Sequence, residues 1–130
     1  MLSHVTLGTN DLDRAVAFYD RVLAPLRLAR ADWNAEAGYA GYAVPGTEAM
    51  PFWLMRPIDG HPATVGNGTT VAFEAPDRAT VDAVHAAAME AGAREEGAPG
   101  LRPHYHPDFY AAYVRDPDGH KVCCVCHRPG

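Results

Sequence analysis

Apolar residues along this chain change twice from a two-residue to a helical spacing, and both times they change back. His4-Val5-Thr6-Leu7 alternates polar and apolar positions, as a half-buried strand does. Leu12, Ala15, Val16, Tyr19, Val22 and Leu23 then recur at helical spacing, which predicts a helix from about Asp11 to Ala24. Asn10 or Asp11 can cap its start, and Pro25 marks its end. Strand-like stretches follow at Leu28 to Trp33, Gly38 to Val44 and Phe52 to Met55, with a Pro45-Gly46 turn before the last.

The same order then repeats. Moved along by about 66 residues, His4-Val5-Thr6-Leu7 falls on Thr70-Val71-Ala72-Phe73, Asp11 on Asp77 and Leu23 on Met89. The second helix begins after Pro76, with Asp77 as its cap. It carries Val81, Val84, Ala88 and Met89 and stops at Gly92. Strands are expected near Ala93 to Glu96, at Phe109 to Arg115 and at Lys121 to His127. Asp116-Pro117-Asp118-Gly119 reads as the hairpin turn between the last two.

The expected architecture is therefore α+β: a single domain over residues 1–130 built from two tandem βαβββ modules. Module one covers about residues 1–60, a Pro/Gly/Asn-rich linker about 61–68, and module two about 69–128. Each sheet buries one face on its helix, and the other faces are expected to curve into a shared cleft, where a small-molecule ligand would sit.

Bulk properties narrow the partners. The chain is 48% hydrophobic and 21% charged, an ordinary globular balance. A net charge of -5 with no basic stripe argues against nucleic acid and against an anionic membrane surface. No apolar run reaches the length of a membrane span, and the first residues lack the basic and apolar stretches of an export signal. Cys123, Cys124 and Cys126 are too few and too close together to make a disulfide framework. The expected compartment is the cytoplasm.

On a strand, neighbouring side chains point to opposite faces, so Cys123 sides with Val125, and Cys124 with Cys126. Tight packing is one reading of this cluster. A reactive Cys123, with its pKa lowered by His4 or His120, is another. His104 and His106 flank Tyr105 between Pro103 and Pro107, so in an extended stretch both imidazoles project to one side. There they can bind an anion, relay a proton or donate to a metal, or serve only as parts of a rigid loop. Arg102 is a candidate for holding a carboxylate or phosphate. Tyr113 is a candidate hydrogen-bond donor on the face of Ala111 and Arg115. Trp53, Trp33 and Tyr42 are candidate pocket walls, or else core.

The opening His4-Val5-Thr6-Leu7 with Asn10-Asp11-Leu12, and the closing Asp116-Pro117-Asp118-Gly119-His120, resemble the vicinal oxygen chelate superfamily. That group holds glyoxalase I, bleomycin- and fosfomycin-resistance proteins and extradiol dioxygenases. The stretch Gly100 to Pro107 is similar to a glyoxalase-like subgroup of unassigned reaction. The resemblance implies a divalent metal (Zn, Fe, Mn or Ni) held by His4 and by the positions of Thr70 and Cys123, where the family has a second histidine and a glutamate. Thr70 is a weak donor, so a degenerate site is expected, with Thr70 left to touch substrate. Loss of the glutamate argues against the glyoxalase I reaction itself.

Two functions stay open on this reading. One is a lyase, isomerase or dioxygenase acting on a small polar organic molecule, with His104, His106 and Tyr113 catalytic and Arg102, Trp53 and Thr70 binding substrate. The other is a metal-free protein that sequesters a small molecule, as bleomycin-resistance proteins do. A structural or regulatory domain that lost the chemistry is a third, blander reading. The resemblance also implies a homodimer.

Overall fold

The computed structural model describes all residues 1–130 and gives the order β1 (Val5–Gly8), α1 (Leu12–Val22), β2 (Ala29–Asn34), β3 (Tyr39–Ala43), β4 (Phe52–Met55), β5 (Val71–Glu74), α2 (Arg78–Glu90), β6 (Arg94–Leu101), β7 (Tyr110–Arg115) and β8 (Lys121–Cys126). Two four-stranded sheets result, ordered β1-β4-β3-β2 and β5-β8-β7-β6. In each, the first strand of the module runs parallel to its last, and the remaining pairs are antiparallel. This is the expected pair of tandem modules.

The repeat extends to the helix starts. The Asp11 carboxylate accepts the Arg14 N–H at 3.1 Å, and the Asp77 carboxylate accepts the Thr80 N–H at 2.7 Å. Each satisfies a backbone donor that the first helical turn leaves free. Gly92, at φ +90, leads the chain out of α2. After α1 a short 3-10 turn at Ala24–Leu26 intervenes, closed by Arg27 in the left-handed region.

Both modules turn their helix-side faces into one core. Tyr19 and Val22 of α1, Phe52 and Leu54 of β4, Val81 and Ala88 of α2, and Cys124 and Cys126 of β8 belong to a single buried cluster. Phe52 and Phe73 join the two sheets edge to face, with ring centroids 5.2 Å apart.

A polar joint at the Asp116–His120 turn locks this arrangement. The Tyr19 hydroxyl donates to Asp116 Oδ2 at 2.6 Å, while Asp116 Oδ1 accepts the N–H groups of Asp118 and His120. His120 Nε2 donates to the Gly8 carbonyl at 2.7 Å, and Asp118 accepts the Asn10 N–H at 3.0 Å. The second module's hairpin turn thus grips the first module at β1 and at the start of α1. No helix is long and apolar enough to cross a membrane.

Candidate functional site

The outer face of the second sheet carries a pocket of about 410 Å³. Strand alternation supplies its floor: Thr70 and Ala72 on the β5 side, Cys123 from β8 and Tyr113 from β7, with Tyr113 and Cys123 directly paired across the strands. Lys121 projects from the start of β8, and Glu96 and Arg102 come from β6 and its end. His104, Tyr105 and Phe109 form the rim.

β6 is longer than the Ala93 to Glu96 piece expected from sequence, and it is irregular. Its pairing with β7 slips between Glu95 and Gly97 and again between Gly97 and Gly100. Such bulges leave carbonyls without ladder partners. The Arg102 guanidinium takes two of them, donating to the Gly100 carbonyl at 2.8 Å and the Ala98 carbonyl at 2.9 Å. Gly97 leaves the necessary space, because a Cβ there would lie 2.9 Å from an Arg102 terminal nitrogen and 3.1 Å from the Tyr113 ring. Arg102 is therefore fixed over Tyr113, 5.5 Å from the ring centroid, and Lys121 Nζ lies 5.3 Å from the same centroid.

The ionisable groups on the floor stay protonated. Burial, and then the neighbouring Cys123, push the Tyr113 phenol up to about 12. Burial also raises the Cys123 thiol, against the lowering pull of Tyr113, Arg102 and Lys121. His120, expected as a possible activator of Cys123, is committed to the Gly8 carbonyl. Tyr113 is a donor here, and Cys123 is a neutral, 2% exposed floor residue.

The rim is an aromatic stack. The His104 and Tyr105 rings lie 4.3 Å apart and the Tyr105 and Phe109 rings 4.8 Å. His106, expected beside His104, is instead turned out of the lining. Its Nδ1 accepts the Asp108 N–H at 3.1 Å, so its proton is on Nε2, directed at His127 Nδ1 2.9 Å away. Metal binding through His106 Nε2 would need the proton on Nδ1, where the Asp108 N–H already points.

Of the sequence-derived residues, Arg102, His104, Tyr113, Thr70 and Cys123 come together, whereas His4, Trp53 and His106 do not join them. His4 precedes β1 and bonds only to the neighbouring Ser3 side chain at 2.9 Å. Trp53 lies beside Thr6 on the outer face of the first sheet, with its indole N–H on the Met50 carbonyl. Trp33 sits under Arg30 at the sheet edge, and Tyr42 is core, bonded to Asp20. The pocket is thus walled by the second module alone.

No three His, Cys, Asp or Glu side chains are grouped as a metal would need. With only a threonine hydroxyl and one cysteine at the two matching positions on the pocket floor, and His4 away from both, the donors present do not fit the superfamily's divalent metal.

Lys121, Glu96, Tyr105 and Phe109 were missed in the sequence reading. Alternation along β8 puts Lys121 on the face of Cys123, and that signal was available. Glu96 lies within the expected Ala93 to Glu96 strand, but the pairing slips at Glu96 itself, and that irregularity has no local signal.

Comparison with known proteins agrees with this fold. The family described as Glyoxalase/Bleomycin resistance protein/Dioxygenase superfamily matches residues 1–124. A crystal structure of a glyoxalase/bleomycin resistance protein from Albidiferax ferrireducens T118 is 39% identical over 99% of each chain, with a TM-score of 0.84. A glyoxalase-related enzyme from Fulvimarina pelagi shares the fold at 20% identity, covering 97% of this chain and 87% of that one, with a TM-score of 0.74. A lactoylglutathione lyase from Agrobacterium tumefaciens does so at 23% identity, 97% and 92% coverage and a TM-score of 0.68. No curated protein matches the chain. With the family matched over nearly its whole length, the chain belongs to the Glyoxalase/Bleomycin resistance protein/Dioxygenase superfamily.

Proposed function

We propose that this protein binds a small organic anion in the second-module pocket and moves a proton on it, as a glyoxalase-like lyase or isomerase without a resident metal. One observation carries the reading: two cations without carboxylate partners, Arg102 and Lys121, line the same pocket as an imidazole, His104, and a protonated phenol, Tyr113. In this reading the cations hold the anion, His104 accepts the proton from a carbon next to a carbonyl, and Tyr113 donates to the oxygen that gains charge. Dioxygenase chemistry needs a redox metal, and the donor set does not favour it.

The second reading, sequestration without turnover, is supported by the same neutral floor, since neither Cys123 nor Tyr113 is activated. 2-Oxobutyrate in D2O separates the two. Proton NMR should show its C3 protons exchanging faster with the protein present, and His104→Ala should abolish that exchange while binding survives. Binding without exchange would favour sequestration, and no binding would overturn both readings.

We also propose a homodimer in the cytoplasm. On the outer face of the first sheet Thr6 is exposed and Trp53 and Met55 are only half-buried, which leaves apolar surface for a second copy, and three free thiols suit a reducing compartment. A stable monomer in light scattering at high micromolar concentration would refute the dimer.

A further inference from the structure

The charges around the pocket are unevenly matched. Glu96 lies in the lining, but Arg115 Nε binds its carboxylate at 2.9 Å and Arg94 approaches to 3.5 Å. Those arginines hold it below the ordinary glutamate range, with Lys121 adding the smallest pull. Glu74, the other carboxylate on this face by alternation, stands beside Val125 outside the lining. Neither Arg102 nor Lys121 makes an ion pair anywhere in the chain.

The two cations differ in kind. Arg102 is held by the β6 bulge, with two N–H bonds given to backbone carbonyls and the others free. Lys121 is a single charge on a flexible stem. Both lie over the ring of Tyr113, so at most about 11 Å separates them. One anionic group would neutralise one of them and leave the other without a partner. In a chain of net charge -5, two such unpaired cations at one ring are a local reversal of sign.

We propose that the pocket selects dianions: short organic molecules with two negative charges, one taken by Arg102 and the other by Lys121, with the carbon skeleton across Tyr113. Gly97 is the positioning residue, since its missing side chain lets Arg102 lie over the ring. The inference rests on the proposed ligand pocket and deepens it. The shared chemistry is the double charge: two carboxylates would span Tyr113 from one cation to the other, whereas one phosphate monoester would draw both cations to a single group.

Calorimetric titration with glutarate, pentanoate and propyl phosphate tests it. Glutarate should bind about tenfold or more tightly than pentanoate, the gain expected from one further charge-assisted hydrogen bond. Lys121→Met should reduce that ratio to near one while pentanoate binding persists. Gly97→Ala should weaken glutarate more than pentanoate and so lower the ratio as well, because a displaced Arg102 leaves the second carboxylate without its partner, and an unchanged fold by circular dichroism makes that a positional effect. Propyl phosphate binding above glutarate would identify the phosphate arm, and the reverse the dicarboxylate arm. Equal binding of glutarate and pentanoate, with propyl phosphate no tighter, would overturn the dianion inference and leave the pocket reading intact. No binding by any probe would overturn both.

Discussion

Replacing Tyr19 with Phe removes one oxygen from the joint between the modules, and the structure says what that oxygen is worth. Tyr19 is fully buried, and its hydroxyl donates at 2.6 Å to Asp116, a residue only 6% exposed. The phenylalanine ring keeps the packing against Phe18 and Phe52, so the loss falls on the hydrogen bond. A bond to a charged acceptor contributes about 1.5–3 kcal/mol, and here Asp116 Oδ2 would be left buried without a donor. We therefore expect a loss of about 2 kcal/mol, or about 6–10 °C in melting temperature for a domain of this size.

Urea unfolding should show a lower midpoint with an unchanged slope. The pH dependence adds a second check. Burial first, and then Asp116, raise the Tyr19 ionisation well above the ordinary tyrosine range. The folded state thus favours the protonated phenol, and that contribution is complete below about pH 10 and lost as pH rises beyond it. The gap between wild type and Tyr19→Phe should be constant near neutrality and narrow above about pH 10. A variant within 0.5 kcal/mol of wild type at pH 7, roughly the noise of a neutral surface change, would refute this account of the joint.

Three further outcomes follow from the packing. None of Cys123, Cys124 and Cys126 should react quickly with a thiol reagent at pH 8 in the folded protein. All three are buried, Cys123 is raised by burial, and Cys124 is pushed up to about 12 by burial and its neighbouring cysteines, so fast labelling before unfolding would contradict the structure. Gly38→Ala should cost about 1–2 kcal/mol in urea unfolding, because Gly38 has φ +88 and a Cβ would meet the Arg56 guanidinium that bonds to the Ala35 and Glu36 carbonyls; an unchanged midpoint would refute it. His127→Ala should raise the hydrogen-exchange rates of the Asp108 and Phe109 amides about fivefold, the effect of one neutral hydrogen bond, since His106 then loses its acceptor; unchanged rates would mean that the pair does not fasten the rim.

The fold was legible because each module keeps the same spacing of strand, cap and helix. Val5 and Val71 open the two first strands, and Asp11 and Asp77 cap the two helices at the same offset. Capping and alternation are local, so sequence reports them well. Gly97, Pro99 and Gly100 look like loop material, so sequence alone ends β6 near Glu96, whereas in the fold they form a strand whose irregular pairing is what places Arg102. His106 was misplaced for a related reason. Two histidines on one side of an extended stretch was a local argument, and the partner that turned His106 away, His127, is 21 residues further on. His4 matches the superfamily's first ligand and Cys123 stands where its glutamate is expected, but whether the two meet depends on how the outer sheet faces are disposed, and no local pattern encodes that.

The joint at Asp116–His120 also sets the order in which the chain can mature. Its bonds span 97 residues from Tyr19 to Asp116, 108 from Asn10 to Asp118 and 112 from Gly8 to His120. Closing loops of that size is slow and entropically costly, so these contacts form late. During synthesis the first module leaves the ribosome with Tyr19 lacking its acceptor and Phe52 lacking Phe73. Until residue 120 is made these donors and acceptors lack their partners, so destabilising the final turn should harm yield in the cell more than it harms the stability of the purified fold.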